Sequence, residues 1–167
     1  MKLNNLIFTA LAGFSIILAG CQNNDENEQH YDNKLFISAS NFTKEILFKA
    51  GDTNVETGLS VAIAKPEEHD IKVTMSPAPE LLSTYKQAYY DETAVLLSEE
   101  HYSMPETSTT IKSGSIVSPE LPIEFINTGE LDIKTTYVLP VTIKSVEGIG
   151  VLQSAKTYYY VFRGASL

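Results

Sequence analysis

This 167-residue chain has one cysteine, no tryptophan and only 12 basic side chains against 21 acidic ones. A single arginine, Arg163, is among them. The lone Cys21 excludes an intrachain disulfide and a multi-thiolate metal site. Nucleic acid is excluded as a partner at a net charge of −9, because phosphate neutralisation needs a basic stripe that the chain lacks. Electrostatic adsorption of the domain to anionic lipid is disfavoured on the same ground. Three histidines, His30, His69 and His101, leave few general bases. No Gly-x-Ser-x-Gly elbow occurs, and the nearest stretch, Ser113-Gly114-Ser115, falls on an apparent hairpin. Gly148-Ile149-Gly150 has no helix pattern after it, so it reads as a turn and not as a phosphate loop.

What is present begins with a targeting segment. The amino terminus and Lys2 precede an apolar run from Leu6 to Leu18. That run is too short for a comfortable membrane span, and small residues follow it, as in a secretory signal. Leu18-Ala19-Gly20-Cys21 resembles the lipobox of bacterial lipoproteins, which implies a diacylglycerol on the Cys21 thiol and makes Cys21 the mature N-terminus. The expected location is therefore the outer membrane, lipid-anchored and facing the cell exterior, with the membrane as a partner through the lipid. Without residues 1–20 the chain keeps 147 residues and a net charge of −10, enough for one domain that buries roughly two-thirds of its unfolded surface. Residues 21–33 hold one aromatic and no aliphatic side chain, so they read as the acylated cysteine and a flexible tether. Asp25, Glu26 and Glu28 resemble acidic surface-export signals of Bacteroides-type lipoproteins, and they equally suit a solvated linker.

From Lys34 to Leu167 period-two alternation dominates. Leu59, Val61 and Ile63 alternate with small residues, and Ile71, Val73 and Met75 with Lys72 and Thr74. Leu121, Ile123 and Phe125 follow the same rule, as do Tyr137, Leu139, Val141 and Ile143. Shorter candidates lie at 35–39, 44–49, 109–112 and 157–163. Such strands with turn signals between them predict an all-β sandwich of about seven or eight strands. Pro140 inside a strand predicts an edge or a bulge, since proline donates no ladder hydrogen bond. One segment, about 79–90, breaks the alternation: Leu81, Tyr85, Ala88 and Tyr89 share a helical face behind Pro79, which predicts one short helix packed on the sandwich.

The order of several segments carries a family resemblance. His69-Asp70-Ile71-Lys72-Val73, the Leu81-Leu82-x-x-Tyr85 helix, Leu96-Leu97, Tyr102 and Ile111-Lys112-Ser113-Gly114 come first. Tyr137-Val138-Leu139-Pro140-Val141 and Tyr158-Tyr159-Tyr160-Val161-Phe162 follow. Together they resemble the Bacteroidetes lipoprotein domain of unknown function that forms the N-terminal module of some surface endo-β-N-acetylglucosaminidases. The resemblance implies an immunoglobulin-like β-sandwich from glycan-utilisation systems, with no catalytic residues to carry over. Many relatives continue into a second domain, whereas this sequence stops at Leu167, so a lone module or a chain missing that domain is expected.

Candidate chemistry is sparse. Glycoside hydrolysis needs two carboxylates about 5–10 Å apart, a spacing that some pair among 21 acids meets by chance. Glu67-Glu68-His69 and Glu99-Glu100-His101 are read as solvated loops, not metal ligands. No catalytic residue, metal or cofactor is expected. Tyrosine usage is the lead toward binding. Tyr158, Tyr160 and Phe162 share one face of the last strand and Tyr159 the other, and a sandwich strand is expected to bury only one face. On that reading Tyr158, Tyr159 and Tyr160 are the candidate ligand-binding residues, offering an apolar plate with a polar rim to a sugar. Tyr89-Tyr90 is a second candidate. The expected function is a non-catalytic accessory to glycan capture. The alternative is an adhesin-like or spacer lipoprotein that docks a surface protein partner.

Overall fold

The computed structural model describes residues 33–165. The signal segment, Cys21 and all of the expected tether except Asn33 lie outside the described residues. Asn33 already belongs to the fold: its amide donates to the Lys65 carbonyl and to Glu67 at 2.7 Å, and accepts from the Ala64 and Lys65 N–H groups.

The described chain is built almost wholly of strands: β1 Lys34–Ile37, β2 Thr43–Phe48, β3 Val55–Leu59, β4 Val61–Ala62, β5 Ile71–Pro77, β6 Val95–Leu96, β7 Tyr102–Ser103, β8 Ser108–Ile111, β9 Leu121–Phe125, β10 Tyr137–Val146, β11 Gly150–Val151 and β12 Thr157–Gly164. Eight of these have four residues or more; seven coincide with segments expected from the sequence, while β3 shares only Leu59 with the segment expected through Leu59, Val61 and Ile63. The other four have two residues each, too few for a period to register. One layer is a six-stranded sheet in the order β2-β12-β10-β5-β8, with β6 beside β10. The other layer consists of two three-stranded sheets, β11-β1-β4 and β3-β9-β7. The fold is thus an all-β, immunoglobulin-like sandwich.

Its core lies between the layers. Ile71, Val73 and Met75 of β5, Leu139, Val141 and Ile143 of β10 and Tyr160 and Phe162 of β12 meet Leu35, Leu59, Leu121, Ile123 and Phe125 from the opposite sheets. Phe125 anchors the contact, packing edge-on against Tyr160 at 5.1 Å and Phe162 at 4.6 Å. The segment expected as one strand through Leu59, Val61 and Ile63 is divided at Ser60. Before it the chain pairs with β9, and after it with β1. All three apolar residues still point into the core, which is why alternation continues across the change of sheet.

Pro140 lies in a central strand, not at an edge. Its carbonyl accepts the Ala78 N–H at 2.9 Å, and its missing donor faces the point where the neighbour of β10 changes from β6 to β5. The nearby bulge, between Ile143 and Ser145, is separate. The helix comes where expected: a 3₁₀ turn over Pro79–Leu81 leads into α1, Leu82–Tyr89. It ends at Tyr90, whose left-handed backbone (φ 54°) stops further propagation.

Candidate functional site

β12 is covered on both sides. Tyr158, Tyr160 and Phe162 enter the main core, while Tyr159 and Val161 join Val138, Ala94 and Tyr85 in a second, smaller cluster roofed by α1. Tyr158, Tyr159 and Tyr160 therefore retain only 8%, 7% and 0% exposure. The expectation that one side of this strand stays open is overturned, because the Leu81/Tyr85 stripe of the helix covers what a bare sandwich would leave to water. None of the three tyrosines offers a free ring face for stacking. The Tyr160 hydroxyl finds no hydrogen-bond partner, and burial pushes its phenol well above the usual tyrosine range.

The roof is incomplete, and its gap forms the candidate site. A cleft of about 270 Å³ opens between α1 and β2, lined by Thr43, Glu45, Tyr85, Tyr89, Val161 and Arg163. Thr43, Glu45, Val161 and Arg163 reach it because β2 runs parallel to β12 with Thr43 opposite Tyr159 and Glu45 opposite Val161. Alternate residues of both strands thus share the outer face. Tyr85 and Tyr89 come from one helical face and stack with ring centroids 4.8 Å apart. Tyr85 is buried, resting on Tyr159 at 5.3 Å, whereas Tyr89 keeps 41% exposure. The aromatic stack therefore has a buried base and an open top.

Charge is concentrated beside this stack. The guanidinium of Arg163 contacts Glu45 at 3.2 Å and the mostly buried Asp91 at 3.6 Å. Burial, and next the Asp91 carboxylate, push the Tyr85 phenol upward, with Arg163 opposing. The cleft thus combines a ring face with donors and acceptors held in place by one another. Tyr89 was legible in the sequence as the end of an apolar helical stripe. Glu45, Asp91 and Arg163 were not, because they are distant in sequence and meet only through strand pairing and the helix end.

Other sequence candidates are not brought together. Glu68 and His69 are exposed in a loop, while the His101 ring meets the Ile126 carbonyl at 3.1 Å. Among the described residues no three His, Cys, Asp or Glu side chains converge as metal ligands would. Asp70 and Asp132 have carboxyl groups held below the usual range. The causes are the Lys112 ammonium and Ser113 N–H for Asp70, and the Lys134 N–H and Thr135 hydroxyl for Asp132. Both are exposed and far from the pattern of a buried general acid.

An immunoglobulin-like sandwich with an open aromatic and charged cleft defines the class of module. The model of a family described as an N-terminal domain matches residues 31–150, well over half of the chain, and the chain belongs to that family. No curated protein matches it. Among solved structures, it is similar to a Bacteroides ovatus protein described as carbohydrate binding, with 18% identity and a TM-score of 0.69 over 78% of this chain and 36% of the other. EndoBT-3987 of Bacteroides thetaiotaomicron, solved with its Man5GlcNAc product, gives 19% identity and a TM-score of 0.64 over 78% of this chain and 30% of that one. A two-domain Bacteroides fragilis protein of unknown function gives 15% identity and a TM-score of 0.62 over 81% and 46%. At these identities the likeness is one of fold, and the chain spans less than half the length of each of these three proteins.

Proposed function

We propose that this chain is a non-catalytic module for glycan capture or utilisation, held at the outer membrane by lipid on Cys21 and facing the cell exterior. One observation carries the reading: the half-exposed Tyr89 ring stands beside the Arg163–Glu45 pair in an open cleft. A sugar offers the complementary surface, an apolar ring face bordered by hydroxyl groups, and an aromatic plate with fixed polar neighbours suits it. The fold shared with a neighbour described as carbohydrate binding supports this choice. The test is binding of the full chain, in detergent, to a panel of host and dietary glycans. Saturable binding that Tyr89→Ala abolishes and Arg163→Ala weakens roughly tenfold, while Tyr158→Phe retains it, is the expected result. Absence of binding across the panel overturns the reading.

A second reading, the docking of a surface protein partner, has one feature in its favour. β2 stands at the end of the six-stranded sheet, with Leu47 62% exposed on its outer face, and an open edge accepts an added strand. Replacing Leu47 with lysine then abolishes partner capture from intact cells without touching glycan binding.

A further inference from the structure

We propose, resting on the glycan reading of the cleft, that the ligand is a neutral oligosaccharide of at least two residues laid across Tyr89. The side chain of Tyr89 lines not one cleft but two. On its far side lies a second opening of about 310 Å³, whose lining includes Phe42, Thr84, Gln153, Ser154 and Lys156. Both openings lie on the outer face of β12. Thr157 and Tyr159 line one and Val161 and Arg163 the other, so together they run six residues, roughly 20 Å, along the strand, farther than one pyranose ring reaches. Each opening is near the lower end of the roughly 300–1,000 Å³ that encloses a drug-sized ligand, so each has room for one sugar ring, not for a whole chain. Tyr89 forms the divide that the linked rings straddle.

The far opening repeats the chemistry of the near one. Phe42 is 53% exposed, yet its backbone is fixed by the Tyr159 N–H donating to its carbonyl at 2.9 Å. It is a ring on a held stem, lining the same opening as Thr84, Ser154 and Gln153. Charge decides between neutral and acidic sugars. Arg163 is matched by Glu45 and Asp91, so the cation nearest the stacked tyrosines is not free to capture a carboxylate. Lys156 is the one charged side chain lining the far opening, so the preference for a neutral sugar rests on the paired Arg163 of the near opening and on the charge of the whole chain. The net charge of −9 on the whole chain repels an acidic polymer before contact.

The experiment titrates the detergent-solubilised full chain with mannose, galactose and glucose oligosaccharides of one to four residues. Galacturonate and glucuronate series of the same lengths run beside them. The expected result is binding within a neutral series that tightens roughly tenfold from one residue to two and little thereafter. Phe42→Ala removes that gain, with an unchanged thermal melt, since the ring is exposed. Affinity that is flat with length, or a uronate series that binds tighter than its neutral counterpart, overturns this inference while the glycan reading stands. Failure of every series to bind overturns the glycan reading, and the inference falls with it.

Discussion

The two sides of the six-stranded sheet are both covered, but by different means and to different ends. The inner side meets a second layer of strands, and Phe162, Tyr160, Leu139 and Val141 have at most 1% exposure there. The outer side meets one helix of eight residues. That helix covers Val138, Tyr159 and Val161 and then ends, leaving Tyr89, Glu45 and Arg163 half open. A sheet fully matched by another sheet makes a core. A sheet wider than its helical cover makes a core and a cleft together, so the same strand, β12, serves stability on one side and recognition on the other.

Substitutions on the two sides of β12 test this contrast. Phe162→Ala on the inner side removes a ring packed against Phe125 and is expected to cost about 3–5 kcal/mol, read as a lower urea midpoint. A cost below that of the outer-side variant would break the comparison. Tyr85→Ala on the outer side is expected to cost about 1–3 kcal/mol. It takes the base from the Tyr89 stack, so glycan affinity falls with it. If stability falls while affinity stays, the helix is cover alone and the cleft is not the site.

Tyr160→Phe sharpens the account of the inner side. The hydroxyl lies beside Thr57, which instead takes a hydrogen bond from Lys44 at 2.7 Å, and it is buried without a partner. Removing it is expected to be neutral or stabilising by up to about 1 kcal/mol. The sign of its pH dependence follows from the raised phenol. Above pH ~10 the unfolded chain releases this proton while the folded chain keeps it, so stability falls as pH rises. Tyr160→Phe removes part of that alkaline loss in thermal melts, and the other buried phenols keep the remainder. The smallest effect on stability belongs to Arg163→Ala, about 0–1 kcal/mol for a half-exposed ion pair. Its glycan affinity is nonetheless expected to fall by roughly tenfold, the scale of one hydrogen bond to a charged group. A large melting shift with unchanged affinity would make Arg163 a strut of the fold and not a binding residue.

The strands were legible because a half-buried strand writes its burial into every second residue. Ile71, Val73 and Met75 announce β5, and Leu121, Ile123 and Phe125 announce β9. The helix was legible from the three-to-four spacing of Leu81, Tyr85 and Tyr89. The strand change at Ser60 left no mark, since a residue facing the same core looks alike in either sheet. The place of Pro140 was misjudged because a missing donor can face the gap between two neighbours as well as solvent. The closing run Tyr158-Tyr159-Tyr160-Val161-Phe162 was the least decidable. An apolar residue at every position says that both sides are apolar, and it does not say that a helix covers the second.

Local sequence pattern, then, determined the class of this protein: periodicity is set by geometry within a few residues, so strands, helix and sandwich follow from it. Which surface stays open was decided by the tertiary structure alone. Arg163 meets Glu45 and Asp91 only because β12 pairs in parallel with a strand over a hundred residues earlier and because α1 ends at Tyr90. Exposure is a property of what packs against a residue, and the partners that cover Tyr159 and spare Tyr89 are brought there by the whole chain.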